Sequence, residues 1–192
     1  MNKILHVINF NFSIPKDIDE SCIVNTTSRS KNWSQGLSPF YLGPVELYNG
    51  FISQNVENGW QYSKVYDYYS DNGEPGERYF KWAQDGWNAK KAERYPIGRG
   101  IKPLYSFWNG KKLDYITARK EIYIPLYSNA VIKTDAFKKL KDLYDNSETL
   151  YLQDFDAHSL KPGTFTYDEL WNNDKIKVGH GYVLAMMLES LI

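Results

Sequence analysis

The stretch "SQNVENGWQYSKVYDYYS", residues 53–70, decides how this chain is read. Asn55 is an N-cap by type, because its short side chain accepts a hydrogen bond from a first-turn N–H. Tyr62, Val65, Tyr66 and Tyr69 then recur at i, i+3, i+4 and i+7, the spacing of an apolar helix face. Glu57, Gln61 and Lys64 recur on the other side, within about 60° of one another on an α-helix. Periodicity alone assigns such a polar stripe to solvent. Glu57 in the first turn also complements the helix dipole. The competing reading makes the stripe the working edge of a site. Asn58 and Gly59 are poor helix formers, and small residues there let a ligand or loop approach the backbone.

Bulk numbers narrow the function classes. Lys and Arg total 23 and so do Asp and Glu, so there is no basic excess of the kind a nucleic-acid footprint needs. Aromatic residues make up 16% of the chain, with 16 Tyr and 6 Trp, which suits a ring-rich core or a pocket that stacks flat ligands. One cysteine, Cys22, excludes an internal disulfide and a cysteine-based zinc site. His6, His158 and His180 have no ligand spacing, so no metal is expected. No apolar run reaches bilayer length and the N-terminus is too interrupted for a signal peptide, which makes a cytoplasmic protein the expectation.

Around the opening stretch, residues 3–12 alternate as a strand. Residues 15–36 read as a polar loop with a short strand near Cys22–Val24. "LSPFYLGPVELYNG" reads as extended pieces and turns. Residues 78–96 predict a helix, broken near Gly86 and ended by Pro96, and "IGRGIKPLYSFWNGKK" predicts a loop. "LDYITARKEIYIPLYSN" is helix or strand, with Pro125 inside. Thr134 or Asp135 caps a helix carrying Phe137 and Leu140, Thr149–Leu152 is strand-like, and "GYVLAMMLESLI" closes as an apolar helix. The expected fold is α+β, mostly helical with a few short strands. Residues 1–36 are expected as an N-terminal strand and loop extension, and 37–192 as the domain.

Taken in order, several segments carry a resemblance. "LSPF" (Leu37–Phe40) is followed by "ENGWQYSKVY", then "GRGIKPLYSFW" (Gly98–Trp108), then "FKKLKDLYDNSETLYLQDFDAH", then "GYVLAMML" (Gly181–Leu188). This series resembles the NADAR family, also called YbiA-like. Its members have an L-S-N-F element, a helix of pattern E-x-x-x-Q-x-x-K, a Gly-Arg and Trp segment, an acidic loop and a closing Gly-x-x-Leu-Met helix. Pro39 stands where that family has Asn, "DAHSL" stands where it has Trp-Gly, and 161–178 looks like an insertion.

The resemblance implies a YbiA-like fold and hydrolysis of N-glycosidic bonds in ADP-ribosyl or ribosyl-phosphate compounds. It implies Glu57, Asp156 and Lys64 as catalytic residues, with Asp154 the rival of Asp156. Gln61, Trp108, Arg99 and Asp154 would bind substrate. The chemistry suits these types. Breaking the bond builds positive charge at the anomeric carbon, which one carboxylate stabilises while an acid assists the leaving nitrogen. Lys64 holds a phosphate or acts as an amine nucleophile, Gln61 orients a hydroxyl, Trp108 stacks on a base and Arg99 meets phosphate. The bland counterparts are Asp154 and Asp156 as turn caps, Trp108 as core and Arg99 as an exposed turn residue. The implied partner is a small nucleotide-like substrate, with an ADP-ribosylated nucleobase one option; no cofactor and no membrane are expected. A non-catalytic nucleotide-binding module and an interaction protein that keeps the fold stay open beside the enzyme.

Overall fold

A computed structural model describes residues 3–11, 14, 18–158 and 166–192. In chain order its elements are β1 (Ile4–Asn9), β2 (Ile23–Asn25), β3 (Val45–Glu46), β4 (Ile52–Ser53), α1 (Val56–Gln61), β5 (Lys64–Val65), α2 (Glu77–Asn88), β6 (Tyr105–Trp108) and β7 (Lys111–Leu113). Then come α3 (Tyr115–Ala118), a π-helical turn (Arg119–Tyr123), α4 (Ile124–Val131), α5 (Asp135–Asn146), β8 (Thr149–Asp154), α6 (Tyr167–Trp171) and α7 (His180–Leu188). The architecture is mixed α/β, with helices among small sheets. Among the described residues there are eight strands, where a few short ones were expected. Contacts divide the chain into two compact units, one of residues 1–38 with 131–192, the other of 39–130. No helix among the described residues is long and apolar enough to cross a membrane.

In the first unit β8 is the centre of a parallel sheet of order β1–β8–β2. Residues 1–36, expected as an extension, supply both flanking strands. β8 carries Leu150, Leu152, Gln153 and Asp154 as buried residues. That is the near-continuous burial of a strand covered on both faces. α7 is buried along almost its whole length and contacts β1 and β8, while α5 contacts β8 from its Phe137 and Leu140 face. Thr134 caps α5 by accepting from the Phe137 N–H at 3.0 Å. The expected insertion at 161–178 falls partly outside the described residues; within it α6 starts with a Thr166–Glu169 capping box.

In the second unit the opening stretch departs from its periodicity. Asn55 is the N-cap, accepting from Asn58 N–H at 2.8 Å. The helix then stops at Gln61 instead of running to Tyr69. Ser63 Oγ donates to the Trp60 carbonyl at 2.8 Å, and Lys64–Val65 turns into β5, pairing antiparallel with β6. The run "KVYDYY" is β-branched and aromatic, so strand pairing outcompetes one more helical turn. Gly59 serves helix packing: an added Cβ would sit 2.9 Å from Leu126 Cδ2 and 3.1 Å from Leu47 Cδ2.

Two further expectations change, and one open alternative is settled. α2 runs unbroken through Gly86 and ends at Asn88, well before Pro96. Residues 105–113 form a hairpin instead of a loop, turning at Asn109 and Gly110, whose φ values of 46° and 82° suit a type I′ turn. The ambiguous 115–131 stretch is helical throughout. Its π-helical turn sends the Ile124 N–H to the Arg119 carbonyl just ahead of Pro125, which has no N–H to give.

The aromatic surplus builds the core of this unit. Tyr48, Tyr62, Val65, Tyr79, Ala83 and Trp87 cluster, with Phe51, Phe80, Trp82 and Phe107 against them. A Cβ at Gly86 would overlap the Tyr62 ring. Gly86→Ala is therefore expected to cost about 3 kcal/mol or more, since the contact is a buried ring with no room to yield; thermal unfolding measures it. Burial pushes the Tyr48 and Tyr66 phenols each up to about 12. A phenol whose folded pKa is raised stabilises the fold fully below its ordinary value of about 10 and loses that contribution as pH climbs through the folded value. Stability should accordingly fall between about pH 10 and pH 12, read by denaturant midpoints with phenolate absorbance followed in parallel.

Candidate functional site

The first-turn N–H groups of α1 are met by the segment before it. Val56 N–H donates to the Leu42 carbonyl at 2.8 Å and Glu57 N–H to the Pro39 carbonyl at 3.0 Å. All six α1 residues are buried. The Glu57–Gln61–Lys64 stripe is thus no water-facing face. It is a polar relay inside the protein.

Gln61 Nε2 donates to Glu57 Oε1 at 2.9 Å, and Lys64 Nζ donates to Gln61 Oε1 at 2.6 Å. This amide orientation puts its donor on a carboxylate and its acceptor on an ammonium, and the flipped amide would satisfy neither. Glu57 is 5% exposed and Gln61 6%, whereas Lys64 is half-buried at the end of the relay. A carboxylate taken out of water needs such donors to stay tolerable. Lys64 leaves the helix and reaches Gln61 from β5, so an extended residue completes what helical spacing suggested.

A ring cluster adjoins the relay. Lys64 Nζ lies 4.6 Å from the Trp60 ring centroid. Trp60 meets Tyr123 at 5.4 Å and Tyr115 at 6.5 Å between centroids. The Arg119 guanidinium lies 4.4 Å over the Tyr115 ring and is 1% exposed. Arg119 and Tyr123 both belong to the π-helical turn, a rare element that often sits at functional sites.

Asn58, beside Glu57, is fully buried and ties the next segment to α1. Its Nδ2 faces the carbonyls of Gly86 at 3.0 Å, Ala89 at 3.1 Å and Lys91 at 3.0 Å, and its Oδ1 accepts from Glu93 N–H at 2.8 Å. Two amide protons serve three carbonyls, so one is shared. This side chain meets the orphan carbonyls where α2 ends. Tyr62 Oη adds a 2.6 Å bond to Glu93 Oε2.

Trp108 and Arg99 meet other rings. Trp108 is half-buried and packs edge-on to Tyr48, 4.8 Å between centroids, as part of the aromatic core. Arg99 is exposed on the loop, its guanidinium 5.7 Å from the Tyr95 ring, with Arg94 at 5.5 Å from the same ring.

Asp154 and Asp156 belong to the first unit. Asp154 is buried, and its oxygens are engaged within that unit. Oδ1 accepts from Asp156 N–H at 2.9 Å, Oδ2 accepts from Gly181 N–H at 2.6 Å, and His180 Nδ1 lies 3.1 Å from Oδ2. The carboxylate caps α7, whose own N-cap residue, Gly179, has no side chain to do so. Cβ atoms at Gly179 and Gly181 would strike Asp154, which explains "GHG" at that helix start. His180 Nε2 faces the Thr26 carbonyl at 2.8 Å and Thr26 Oγ1 at 3.0 Å. Thr26 Oγ1 gives its proton to the Gln153 carbonyl at 2.8 Å. Nε2 is therefore a donor, and this acid–imidazole–hydroxyl line generates no nucleophile. It joins β2, β8 and α7. Asp156 follows β8, half-buried.

A family model, Family of unknown function (DUF6939), matches residues 11–160. The chain belongs to DUF6939. No curated protein and no solved structure matches it. The DUF6939 match spans the relay, the ring cluster and the Asp154–Asp156 turn, while α6 and α7 lie beyond it. Within this DUF6939 chain, sequence reasoning missed Asn58 as the loop anchor, Tyr115, Arg119 and Tyr123 as the ring cluster, and the His180–Thr26 line. The signals available were an Asp114 N-cap ahead of Tyr115 and the i, i+4 pairs Tyr115/Arg119 and Arg119/Tyr123.

Proposed function

We propose that this chain hydrolyses N-glycosidic bonds in ADP-ribosyl or ribosyl-phosphate compounds, on a fold of YbiA-like type. The observation that carries the reading is the buried Glu57 carboxylate, aligned by Gln61 and backed by Lys64 over Trp60. The ordered resemblance from Leu37 to Leu188 supports it. In the proposed step the bond between the anomeric carbon and nitrogen breaks, with its electron pair going to nitrogen. Water oxygen bonds to that carbon, and Glu57 takes the water proton and delivers it to the leaving nitrogen. Glu57 also faces the positive charge that develops on the sugar. Lys64 supplies a point charge for a phosphate, as ammonium groups do.

The test is a substrate panel of ADP-ribosylated nucleobases, ADP-ribose derivatives and ribosylated pyrimidine phosphates, incubated with fresh protein and separated by chromatography. Release of free base together with the sugar phosphate is expected from at least one class. Tight binding of a panel member with no product would convert the reading to a nucleotide-binding module. An intact panel without binding would overturn both.

A further inference from the structure

Tyr115 is a large aromatic residue left 40% exposed, yet its ring is held firmly. Asp114 fixes the turn that carries it, accepting from Ile116 N–H at 2.9 Å and Thr117 N–H at 3.0 Å, with the Thr117 hydroxyl at 2.6 Å. The Arg119 guanidinium lies over the ring at 4.4 Å and is itself buried. Trp60 stands beside it at 6.5 Å, and Trp60 is three residues along α1 from Glu57 and under the Lys64 ammonium. Contact by contact, the line runs Glu57, Gln61, Lys64, Trp60, Tyr115, Arg119.

An exposed ring alone means little, because apolar atoms make up much of any surface. An exposed ring stacked on a buried guanidinium and continuous with a buried carboxylate relay is different. The cation lies over the ring and orients its plane, and Tyr115 keeps 40% of its surface exposed. Every nucleobase has a π-face that suits such a surface, whatever its hydrogen-bonding edge.

We propose that Tyr115 is the stacking platform for the flat heteroaromatic part of the ligand, and that Arg119 is a positioning residue that holds the platform. This rests on the hydrolase reading only for the identity of the site; stacking itself requires no turnover. It moves the base-stacking role from Trp108, which is engaged in the aromatic core, to a residue of the ring cluster.

Calorimetry on the full chain tests it with two probes that differ by the base alone, adenosine 5′-monophosphate and ribose 5-phosphate. The unaltered protein is expected to bind the nucleotide about tenfold or more tightly than the sugar phosphate, the scale of one base–aromatic stack. Tyr115→Ala should erase that ratio and leave ribose 5-phosphate binding unchanged, while Tyr115→Trp should keep it. Arg119→Lys should reduce the ratio without changing sugar-phosphate affinity, which a merely structural role would not do selectively. Melting curves of each variant verify the fold, and Tyr115→Trp carries the test if Arg119→Lys unfolds. An equal affinity for both probes, no binding of either, or a ratio untouched by Tyr115→Ala overturns the proposal. An intact ratio in a protein that hydrolyses nothing overturns the hydrolase reading alone.

Discussion

Glu57→Gln is expected to lower hydrolysis about a thousandfold while the protein still folds. The size follows from the role. A positioned acid or base contributes on the order of 10²- to 10⁴-fold, and Glu57 also offers the negative charge that faces the developing cation. The amide is nearly isosteric, and its oxygen can still accept from Gln61 Nε2, now 2.9 Å from Glu57 Oε1. Circular dichroism and cooperative melting should therefore persist. Substrate binding should survive as well, because the amide removes charge without volume. A variant that keeps its fold and its turnover would exclude Glu57 from the reaction.

The second large effect is on stability. Asp154→Ala is expected to cost about 3–5 kcal/mol, because each buried donor left without an acceptor costs about 1–3 kcal/mol. Two backbone donors lose their acceptor at once, Gly181 N–H and Asp156 N–H, and His180 Nδ1 loses the oxygen 3.1 Å from it. The N-terminus of α7 then has no side-chain cap, and α7 covers the sheet formed by β1, β8 and β2. Asp154→Asn, which keeps one acceptor oxygen, should fall in between. Urea unfolding measures both. A loss below about 1 kcal/mol for Asp154→Ala would show that solvent or rearrangement replaces the cap.

Local signals in the sequence carried far. Asn55 and Thr134 marked true helix starts, since capping is decided within four residues. The N-terminal strand and the closing apolar helix were legible from composition. What failed depended on distant partners. Lys64–Val65 becomes a strand through pairing with Tyr105 and Ser106, some forty residues away. β1 finds its parallel partner β8 across most of the chain. The stripe Glu57–Gln61–Lys64 was visible, but a polar stripe satisfied internally has the same periodicity as one satisfied by water. Only burial separates them. Arg119 was invisible too: an Arg at a core position is rare, and the ring it lies over belongs to Tyr115 of α3. Asn109–Gly110 is the exception, a hairpin signal available locally and assigned to a loop.

The most direct measurement mixes stoichiometric fresh protein with an ADP-ribosyl or ribosyl-phosphate N-glycoside and quantifies free base and sugar phosphate over time, for the unaltered chain and for Glu57→Gln side by side. Base and sugar are expected in equal amounts from the unaltered chain and about a thousandfold more slowly from the variant. Equal release by both proteins, or substrates left intact by the unaltered chain, would contradict that expectation.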